Sequence, residues 1–354
     1  MKILIYAYDP GGVSVLTPII EALDTKKNHL EIYSSEKGLE NFEKFGYKAK
    51  QINKEIFLSY SDIQNWLLEM EFDVILTGTS SWHNIEKMLW KVAKNIGIKS
   101  YAVLDHWLNL SIRFHNNPKE CIDYDYSINI KPDQIFVMDE YSLNQLENLG
   151  FLKSEIIISG HPKLFQYYKT NHKLLNNMLD NERVVFYSEP IEDIYNSKQR
   201  WGFDEYSVIE LIFEVVSSID KNKFVIIKPH PKEKIDDLKI KQYSEKYSVL
   251  YEIVDNKFNL KKDDIVVGVF TIALIEAAIS GHKVINIIPC EEAFKYSVLA
   301  LKKVLIPVIN KKELDDKIRT LKLIENIAGK FNLNSNPASI IINVMEGKYE
   351  YFSN

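Results

Sequence analysis

The chain has 354 residues, of which 46% are hydrophobic, and its formal net charge is −5, from 44 basic and 49 acidic side chains. This length favours two domains over one, and the apolar fraction is large enough to give each domain a core. The mildly acidic balance excludes a strongly basic nucleic-acid-binding protein, so no nucleic-acid partner is expected.

The two cysteines, Cys121 and Cys290, are far apart in sequence. They fit neither a disulfide framework nor a metal site, which is typical of proteins in a reducing cytoplasm. The N-terminal sequence MKILIYAYD is too short and too polar for a signal peptide. No run of about 18 apolar residues predicts a spanning helix, so we expect a cytoplasmic protein whose membrane contact, if any, is peripheral at the inner face.

Apolar runs alternate with amphipathic stretches over the first 162 residues, a pattern that predicts parallel βαβ units. The predicted strands are residues 2–8, 29–35, 72–79, 99–105, 132–140 and 155–162. The predicted helices are residues 13–26, 37–47, 83–97 and 141–151. This alternation indicates a doubly wound, Rossmann-like α/β domain.

The polar stretch 163–182 has a helical pattern, and we place a domain boundary within it. A second alternation follows, with predicted strands 183–190, 223–231, 248–254, 263–269 and 282–289 and predicted helices 203–221, 271–281 and 311–322. The predicted domains are 1–168 and 180–335, and a C-terminal segment, 336–354, could pack back on the first. We therefore expect an α/β fold of two doubly wound Rossmann-like domains facing a central cleft, with ligands at the strand carboxyl ends.

One predicted strand of the second domain ends in the sequence KPHP, which contains Lys228, His230 and Pro231. Prolines on both sides restrict the backbone of His230. Its imidazole can donate a hydrogen bond to a phosphate or ribose oxygen, and Lys228 adds positive charge. Taken alone, the motif is more typical of a stiff turn than of a binding site.

A later segment of the same domain, DDIVVGVFTIALIEAAISGHKVINI, predicts a strand, a helix opening at Phe270 and Thr271, and another strand. Thr271 would lie at the N-cap or in the first turn, where free amide hydrogens and the helix dipole suit a phosphate. Glu276, five residues on, could reach a ribose hydroxyl. An ordinary capped helix is the alternative, but together with KPHP the segment predicts a two-part phosphate site.

These two motifs, IIKPHP followed by FTIALIEAAISG, resemble the nucleotide-binding domain of GT-B glycosyltransferases. The resemblance is to bacterial sialyltransferases, to relatives acting on other ulosonic acids, and more distantly to polyglycerol-phosphate polymerases. It implies that His230 and Thr271 hold the phosphate of a nucleotide-activated donor and that Glu276 binds the ribose. Phe270-Thr271 stands where sialyltransferases have two hydroxyl residues, and their acidic D/E-D/E-G motif is absent.

The first strand of the second domain ends at Ser188 and Glu189, which we predict to touch the donor or the acceptor. The long polar segment after them is a candidate lid or binding loop, or an ordinary surface connection.

In the first domain, the sequence YAYDPGG puts Asp9 at the end of the first strand and predicts an open loop at Gly11 and Gly12. Such a loop lets a ligand approach the backbone, and the following helix favours an anion. We therefore predict an acceptor-side site here, although Asp9 would also serve as a simple helix cap. The pattern is not a G-x-G-x-x-G fingerprint.

Two further strand ends of this domain carry polar residues. The first is TGTSSWHN, with Ser80 and His83; the second is YAVLDHWLNLSIRF, in which an acid, a histidine, an indole and a guanidinium follow the strand. We predict a base at Asp105, tuned by His106, and a sugar-stacking role for Trp107. Arg113 could hold an acceptor carboxylate or phosphate. Helix capping and loop polarity are the alternative explanation.

The predicted function is transfer of a sugar, such as a CMP-activated ulosonic acid, from a nucleotide donor to a glycan or glycoconjugate acceptor. Asp9 or Asp105 would take the acceptor proton, while His230, Thr271 and helix amides stabilise the leaving phosphate. No Asp-x-Asp motif lies in the candidate cleft, so we expect no metal and no cofactor. A sugar-nucleotide 2-epimerase or hydrolase, a CDP-glycerol-type phosphotransferase and a non-catalytic sugar-nucleotide binder are the alternatives.

Overall fold

A computed structural model describes residues 1–25, 28–52, 59–81, 83–115, 130–171, 183–219, 224–231, 233–255 and 257–348. Contacts divide the chain into two units, of which one is Met1–Gln166 with the stretch that begins at Phe331, and the other is Tyr167–Lys330. Cys121 and the second half of the predicted polar helix lie outside the described residues.

The first unit is built on a parallel sheet. Its strands are β1 (Lys2–Tyr6), β2 (His29–Ser34), β3 (Lys50–Gln51), β4 (Val74–Thr77), β5 (Lys99–Val103), β6 (Gln134–Val137) and β7 (Ile156–Ile158). Its helices include α1 (Pro10–Asp24), α2 (Lys37–Lys44), α3 (Tyr60–Met70), α4 (Ile85–Ile96), α5 (Leu110–Arg113) and α6 (Glu140–Asn148). The unit boundary falls within α7 (Pro162–Asn171).

The second unit repeats this plan with a smaller sheet. Its strands are β8 (Val184–Tyr187), β9 (Phe224–Lys228), β10 (Leu250–Ile253), β11 (Ile265–Gly268) and β12 (Lys283–Asn286). Its other helices are α8 (Ile191–Tyr195), α9 (Ser197–Trp201), α10 (Glu205–Ile219), α11 (Asp237–Tyr247), α12 (Ala273–Ile279), α13 (Val298–Leu301), α14 (Lys311–Thr320) and α15 (Ile327–Lys330).

Both sheets are doubly wound. Their strand orders are β3-β2-β1-β4-β5-β6-β7 and β10-β9-β8-β11-β12, and all pairs are parallel. The winding direction reverses between β1 and β4 in the first sheet and between β8 and β11 in the second. Ligands of open α/β sheets bind outside the strand carboxyl ends at such a reversal point.

Side chains of β1 alternate between two hydrophobic cores, one on each face of the first sheet. Ile3 and Ile5 pack in one core with Leu16 of α1, whereas Leu4 packs in the other with Leu89 of α4. This alternation follows from the two-residue repeat of a strand, and burial on both faces explains the continuous apolar run.

The C-terminal helix α16 (Pro337–Met345) packs against α1 in the first unit. Its residues Ile341 and Ile342 are buried in the same core as Ile19. None of the helices in the described ranges combines the length and hydrophobicity needed to cross a membrane.

Every predicted strand is present, but some boundaries and helices differ from the predictions. Several helices and the short edge strand β3 were not among the predicted elements; these helices are α3, α5, α8, α9, α11, α13, α15 and α16. Helix α1 begins at Pro10 rather than after the two glycines, because Asp9 is its extended N-cap and proline suits the first helical position. The predicted open Gly-Gly loop is therefore wrong.

The amino ends of β8 and β11 are joined by a bidentate ion pair. The Arg183 Nε and Nη2 groups each donate to a carboxylate oxygen of Asp264 at 2.7 Å, and Asp264 is 1% exposed. The Lys261 amide also donates to this carboxylate at 2.7 Å. Asp264 thus fixes the start of β11 beside β8, one strand pair that forms the reversal point.

We predict that Asp264→Ala lowers the free energy of unfolding by roughly 3 kcal/mol, because it leaves the Arg183 guanidinium without its buried partner. Urea denaturation measures this change. The control is Glu214→Ala, which breaks an exposed pair with Lys311 and should cost less than about 1 kcal/mol. Equal costs for the two substitutions would contradict the structural role of Asp264.

Candidate functional site

The second unit contains a cavity of about 640 Å³ beside its reversal point. Of the predicted donor-side residues, the cavity wall includes Ser188, Lys228, His230, Pro231, Thr271 and Glu276. The structure therefore brings the two sequence motifs to one cavity, although they lie on β9 and β11 with β8 between them. Glu189 and Phe270 are not among the described wall residues.

Helix α12 supplies one side of this cavity. Ala273, Glu276 and Ser280 line the cavity at spacings of three and four residues, so they share one helix face. This face extends roughly 10 Å along the helix axis. Thr271 precedes the helix by two residues, and its hydroxyl oxygen accepts a hydrogen bond from the Ala273 amide at 3.2 Å. It still caps a backbone amide, although the helix begins later than predicted.

The cavity wall is rich in basic side chains. Its described residues include Lys228, Lys262 and His230, against the carboxylate of Glu276; His282 also lines the wall, but burial lowers its pKa, so it adds little positive charge. Burial lowers the pKa of Lys228, while the negative charges of Glu276 and Asp255 act in the opposite direction. The ammonium group of Lys228 lies 5.1 Å from the ring centroid of Tyr187. This excess of basic groups favours an anionic ligand.

The cavity extends from one edge of the sheet to the other. Lys228, His230 and Thr271 follow strands and lie at the carboxyl edge of the sheet, whereas Phe258 and His282 precede strands and lie at the opposite edge. His282 is 5% exposed, and its buried Nδ1 has no hydrogen-bond partner among the described residues. Sequence reasoning missed this end, since residues 257–262 carry no motif.

Phe270 is directed away from the cavity wall into an aromatic cluster. Its ring makes edge contacts with Tyr195 and Trp201 at centroid distances of 5.5 and 5.8 Å. Its backbone amide donates to Oε2 of Glu189 at 3.0 Å. Burial raises the pKa of Glu189 to about 7, and the nearby charge of Glu233 adds to this shift. Phe270 thus contributes packing and a backbone contact.

In the first unit, Asp9 lies at the reversal point between β1 and β4. Its Oδ2 accepts from the Ser81 amide at 3.2 Å, and its own amide donates to Ser80 Oγ at 3.3 Å. Ser80 in turn donates to Glu86 through its hydroxyl at 2.7 Å and its amide at 3.1 Å. Glu86 is 0% exposed, and the sequence analysis missed it because it lies inside a helix.

His83 lies beside this group and stacks on the ring of Tyr8, at 4.1 Å between centroids and 8° between planes. Its Nδ1 is 3.4 Å from the Tyr6 hydroxyl and its Nε2 is 3.3 Å from Ser35 Oγ. The predicted residues Asp9, Ser80 and His83 therefore belong to one polar region at the carboxyl edge of the first sheet.

Asp105 is held by neighbouring side chains. Its Oδ1 accepts from the Arg113 guanidinium and, at 3.2 Å, from the Thr79 hydroxyl. Gly11 approaches it so closely that a Cβ there would overlap the carboxylate, and Gly12 packs near Gly78, where an added Cβ would lie 3.0 Å from the Gly12 Cα. The two glycines thus allow α1 to approach the ends of β4 and β5 rather than forming an open ligand loop.

Trp107 and Arg113 are structural in this conformation. Trp107 is 2% exposed, its indole donates to Asp139 Oδ2 at 2.7 Å, and the ring packs against His161, so no face is open for a sugar. Arg113 is 7% exposed and is paired with Asp105. Burial lowers the pKa of His106 to about 4, with a further contribution from Arg113, so this ring is neutral near pH 7.

Within the described ranges, no group of three or more His, Cys, Asp or Glu side chains is arranged to hold a metal ion. Whether the reaction proceeds without a metal stays a prediction.

No protein-family model matches the sequence, and a search of curated proteins returned no match. Solved structures do resemble it. A UDP-GlcNAc 2-epimerase from Methanocaldococcus jannaschii aligns over 98% of this chain and 100% of its own, with a TM-score of 0.66 and 16% identity. Another structure of that epimerase is a complex with UDP-GlcNAc and UDP.

Two glycosyltransferases show the same likeness. MurG from Acinetobacter baumannii aligns over 98% of this chain and 100% of its own, with a TM-score of 0.56 and 10% identity. The lipopolysaccharide outer core galactosyltransferase WaaB aligns over 99% and 100%, with a TM-score of 0.59 and 14% identity. At these identities the comparison shows the fold alone, and it confirms the predicted GT-B type of two Rossmann-like α/β units.

Glu86 gives a pH-dependent prediction. Burial raises the pKa of its carboxyl from 4.5 to about 8, and the charge of Asp9 adds to this, while the hydrogen bonds from Ser80 oppose it. Between these two values the folded protein holds a proton that the unfolded chain has released. The contribution of Glu86 to stability therefore falls as pH rises through this window.

We expect Glu86→Gln to gain stability relative to the natural protein as the pH is raised from about 5 to about 9. Other titrating groups cancel in the difference between the two unfolding curves. The control is the same substitution at Glu69, whose side chain is exposed on α3. A pH-independent difference at Glu86 would show that its carboxyl is ionised throughout.

Proposed function

We propose that the protein is a glycosyltransferase that uses a nucleotide-activated sugar, and that its second unit binds this donor. The observation that carries the proposal is the cavity beside β8, β9 and α12, where Lys228, His230 and Thr271 meet at one edge and the Phe258 ring lies at the other, beside Lys262 and His282. A nucleotide fits this arrangement, because its anionic phosphate group can contact the first edge and its flat base can pack on the aromatic ring at the second. The GT-B type of the fold supports this proposal.

In this proposal the phosphate lies at the carboxyl edge, against Lys228, His230 and Thr271. Glu276 lies further along the α12 face and would accept hydrogen bonds from the ribose hydroxyls. The base would lie near Phe258 and the exposed face of the loop after it. The KPHP and FT motifs support a cytidine nucleotide carrying an ulosonic acid as the specific donor, and a cytoplasmic role in polysaccharide biosynthesis.

Sugar transfer breaks the bond between the anomeric carbon and a phosphate oxygen, and the electron pair leaves with the phosphate. Basic groups that contact this oxygen stabilise its developing negative charge. In this proposal Lys228 and His230 do this, and the Thr271 hydroxyl donates a further hydrogen bond. The acceptor hydroxyl forms the new bond and loses its proton to a base.

We propose that the first unit supplies the acceptor-side groups, with Asp9 as the base. Asp9 is partly exposed and accepts from a backbone amide of Ser81. Asp105 is the weaker choice, because its carboxylate is paired with Arg113 and also accepts from Thr79. A carboxylate held by a guanidinium is a poor proton acceptor.

A sugar-nucleotide 2-epimerase is the second candidate. The M. jannaschii epimerase resembles this chain over nearly its whole length, and such an enzyme would need the same donor cavity. A glycosyltransferase moves the sugar to an acceptor, whereas an epimerase returns a nucleotide sugar. The reaction products therefore distinguish the two functions.

We predict that His230→Ala and Thr271→Ala each weaken nucleotide binding by about tenfold, the cost of one charge-assisted hydrogen bond. Isothermal titration with CMP, CDP, UDP and GDP measures the affinities. The control is Thr320→Ala on α14, where the hydroxyl donates to a carbonyl of its own helix. If none of the four nucleotides or their sugar conjugates binds the natural protein, the proposed function is wrong.

Product analysis then separates the candidates. Incubation with nucleotide sugars and extracted glycan acceptors should give a glycosylated acceptor and a free nucleotide. Conversion of a UDP-sugar to its 2-epimer without an acceptor would favour the epimerase instead.

We expect Asp9→Asn to bind donor with unchanged affinity and to lose transfer by about a hundredfold or more, since it removes the base alone. Asp105→Asn should instead lower thermal stability, because Arg113 loses its charged partner. The measurements are donor affinity, transfer rate and melting temperature for both variants. Transfer that survives in Asp9→Asn and is lost in a folded Asp105→Asn would reverse the assignment.

A further inference from the structure

The end of β8 touches both motifs of the donor cavity. This strand is the middle one of the sheet, with β9 on one side and β11 on the other. The loop that follows β8 begins with two adjacent polar residues, Ser188 and Glu189. Because successive side chains of an extended segment point in different directions, these two can reach opposite neighbours.

Ser188 connects β8 to the KPHP turn through Glu233. The Ser188 hydroxyl donates to Glu233 Oε1 at 2.6 Å, and the His230 amide donates to Oε2 of the same carboxylate at 3.0 Å. The Glu233 amide donates back to the His230 carbonyl at 2.8 Å. The Ser188 amide also donates to the Lys228 carbonyl at 2.9 Å. One carboxylate thus closes the turn and fixes it to the middle strand.

Glu189 makes the corresponding connection on the other side. Its Oε2 accepts from the Phe270 amide at 3.0 Å, and the backbone of Thr271 also interacts with this carboxylate. Thr271 lines the cavity, and the contact of its backbone with Glu189 fixes the position of its hydroxyl.

Neither carboxylate is among the described wall residues of the cavity, so direct ligand contact does not account for them. Burial raises the pKa of both, and the charge of Glu233 adds to the shift of Glu189. Placing two carboxylates so close together is unfavourable unless hydrogen bonds compensate. In this unit the compensating donors are the backbone of the two motifs and the Ser188 hydroxyl.

We infer that Glu189 and Glu233 are positioning residues that hold Thr271 and His230 against one ligand, with Ser188 as the link between them. The identity of that ligand rests on the proposed function, whereas the positioning of the two motifs does not. Glu233 acts on the KPHP side and Glu189 on the FT side, so the loss of either should disturb one motif and spare the other.

The test uses the full-length chain with selective ¹⁵N labelling of histidine or phenylalanine, which reports the amide signals of His230 and Phe270. Glu233→Ala should shift the His230 amide and leave Phe270 in place, whereas Glu189→Ala should do the reverse. The matched control is Glu252→Ala, which removes an exposed carboxylate from the edge strand β10 and should move neither signal.

Affinities for CDP and UDP provide the second readout. Each alanine variant should weaken binding by about tenfold, the cost of losing hydrogen bonds to a charged group. Glu233→Gln should stay within about threefold of the natural protein, since its carboxamide oxygen can accept from His230 while its NH₂ group donates to Ser188. Retained nucleotide binding in Glu233→Gln distinguishes a positioning role from a general loss of structure. The same measurement tests the inference if Glu233→Ala does not fold.

Unmoved His230 and Phe270 amides in the two alanine variants would overturn the inference, as would unchanged nucleotide affinity in both. A natural protein that binds no nucleotide would refute the proposed function alone, because the amide shifts still decide whether the carboxylates hold the motifs.

Discussion

The central position of β8 between β9 and β11 is the constraint on which the cavity of the second unit depends. A parallel, doubly wound sheet places the ends of all its strands at one edge, and the reversal of winding leaves a crevice there. Motifs distant in sequence, KPHP and FT, therefore come to the same cavity. Ser188 and Glu189, which follow the strand that separates the two motifs, form hydrogen bonds toward both sides, to Glu233 and to the Phe270 amide.

The first unit has a different arrangement of residues at its own reversal point. Its reversal point lies between β1 and β4, where Gly78 packs so closely on Gly12 that an added Cβ would lie 3.0 Å from the Gly12 Cα. There the partly exposed Asp9 is connected by hydrogen bonds to Ser80, which donates to the buried Glu86. These hydrogen bonds hold Asp9 at the place where the acceptor-side groups are proposed to lie.

Local sequence patterns predicted those features of the site that depend only on adjacent residues in the sequence. Proline on both sides of His230 stiffens its backbone wherever the strand ends, and that residue does line a cavity. The same reasoning was wrong for Trp107 and for the glycines after Asp9. An aromatic residue or a Gly-Gly pair at a strand end has the same sequence pattern whether it contacts a ligand or another part of the protein. Here Trp107 contacts Asp139, and Gly11 contacts Asp105.

The sequence by itself determined the two-unit α/β fold, because buried parallel strands and amphipathic helices have distinct hydrophobic periods. It also determined the two motifs and their place at strand ends. Only the tertiary structure decided which polar residues face a cavity and which pair with each other. Glu233 and Glu189 are examples, because a carboxylate accepts from whichever donor the fold brings within about 3 Å. The separation of two residues along the sequence does not predict whether they come this close.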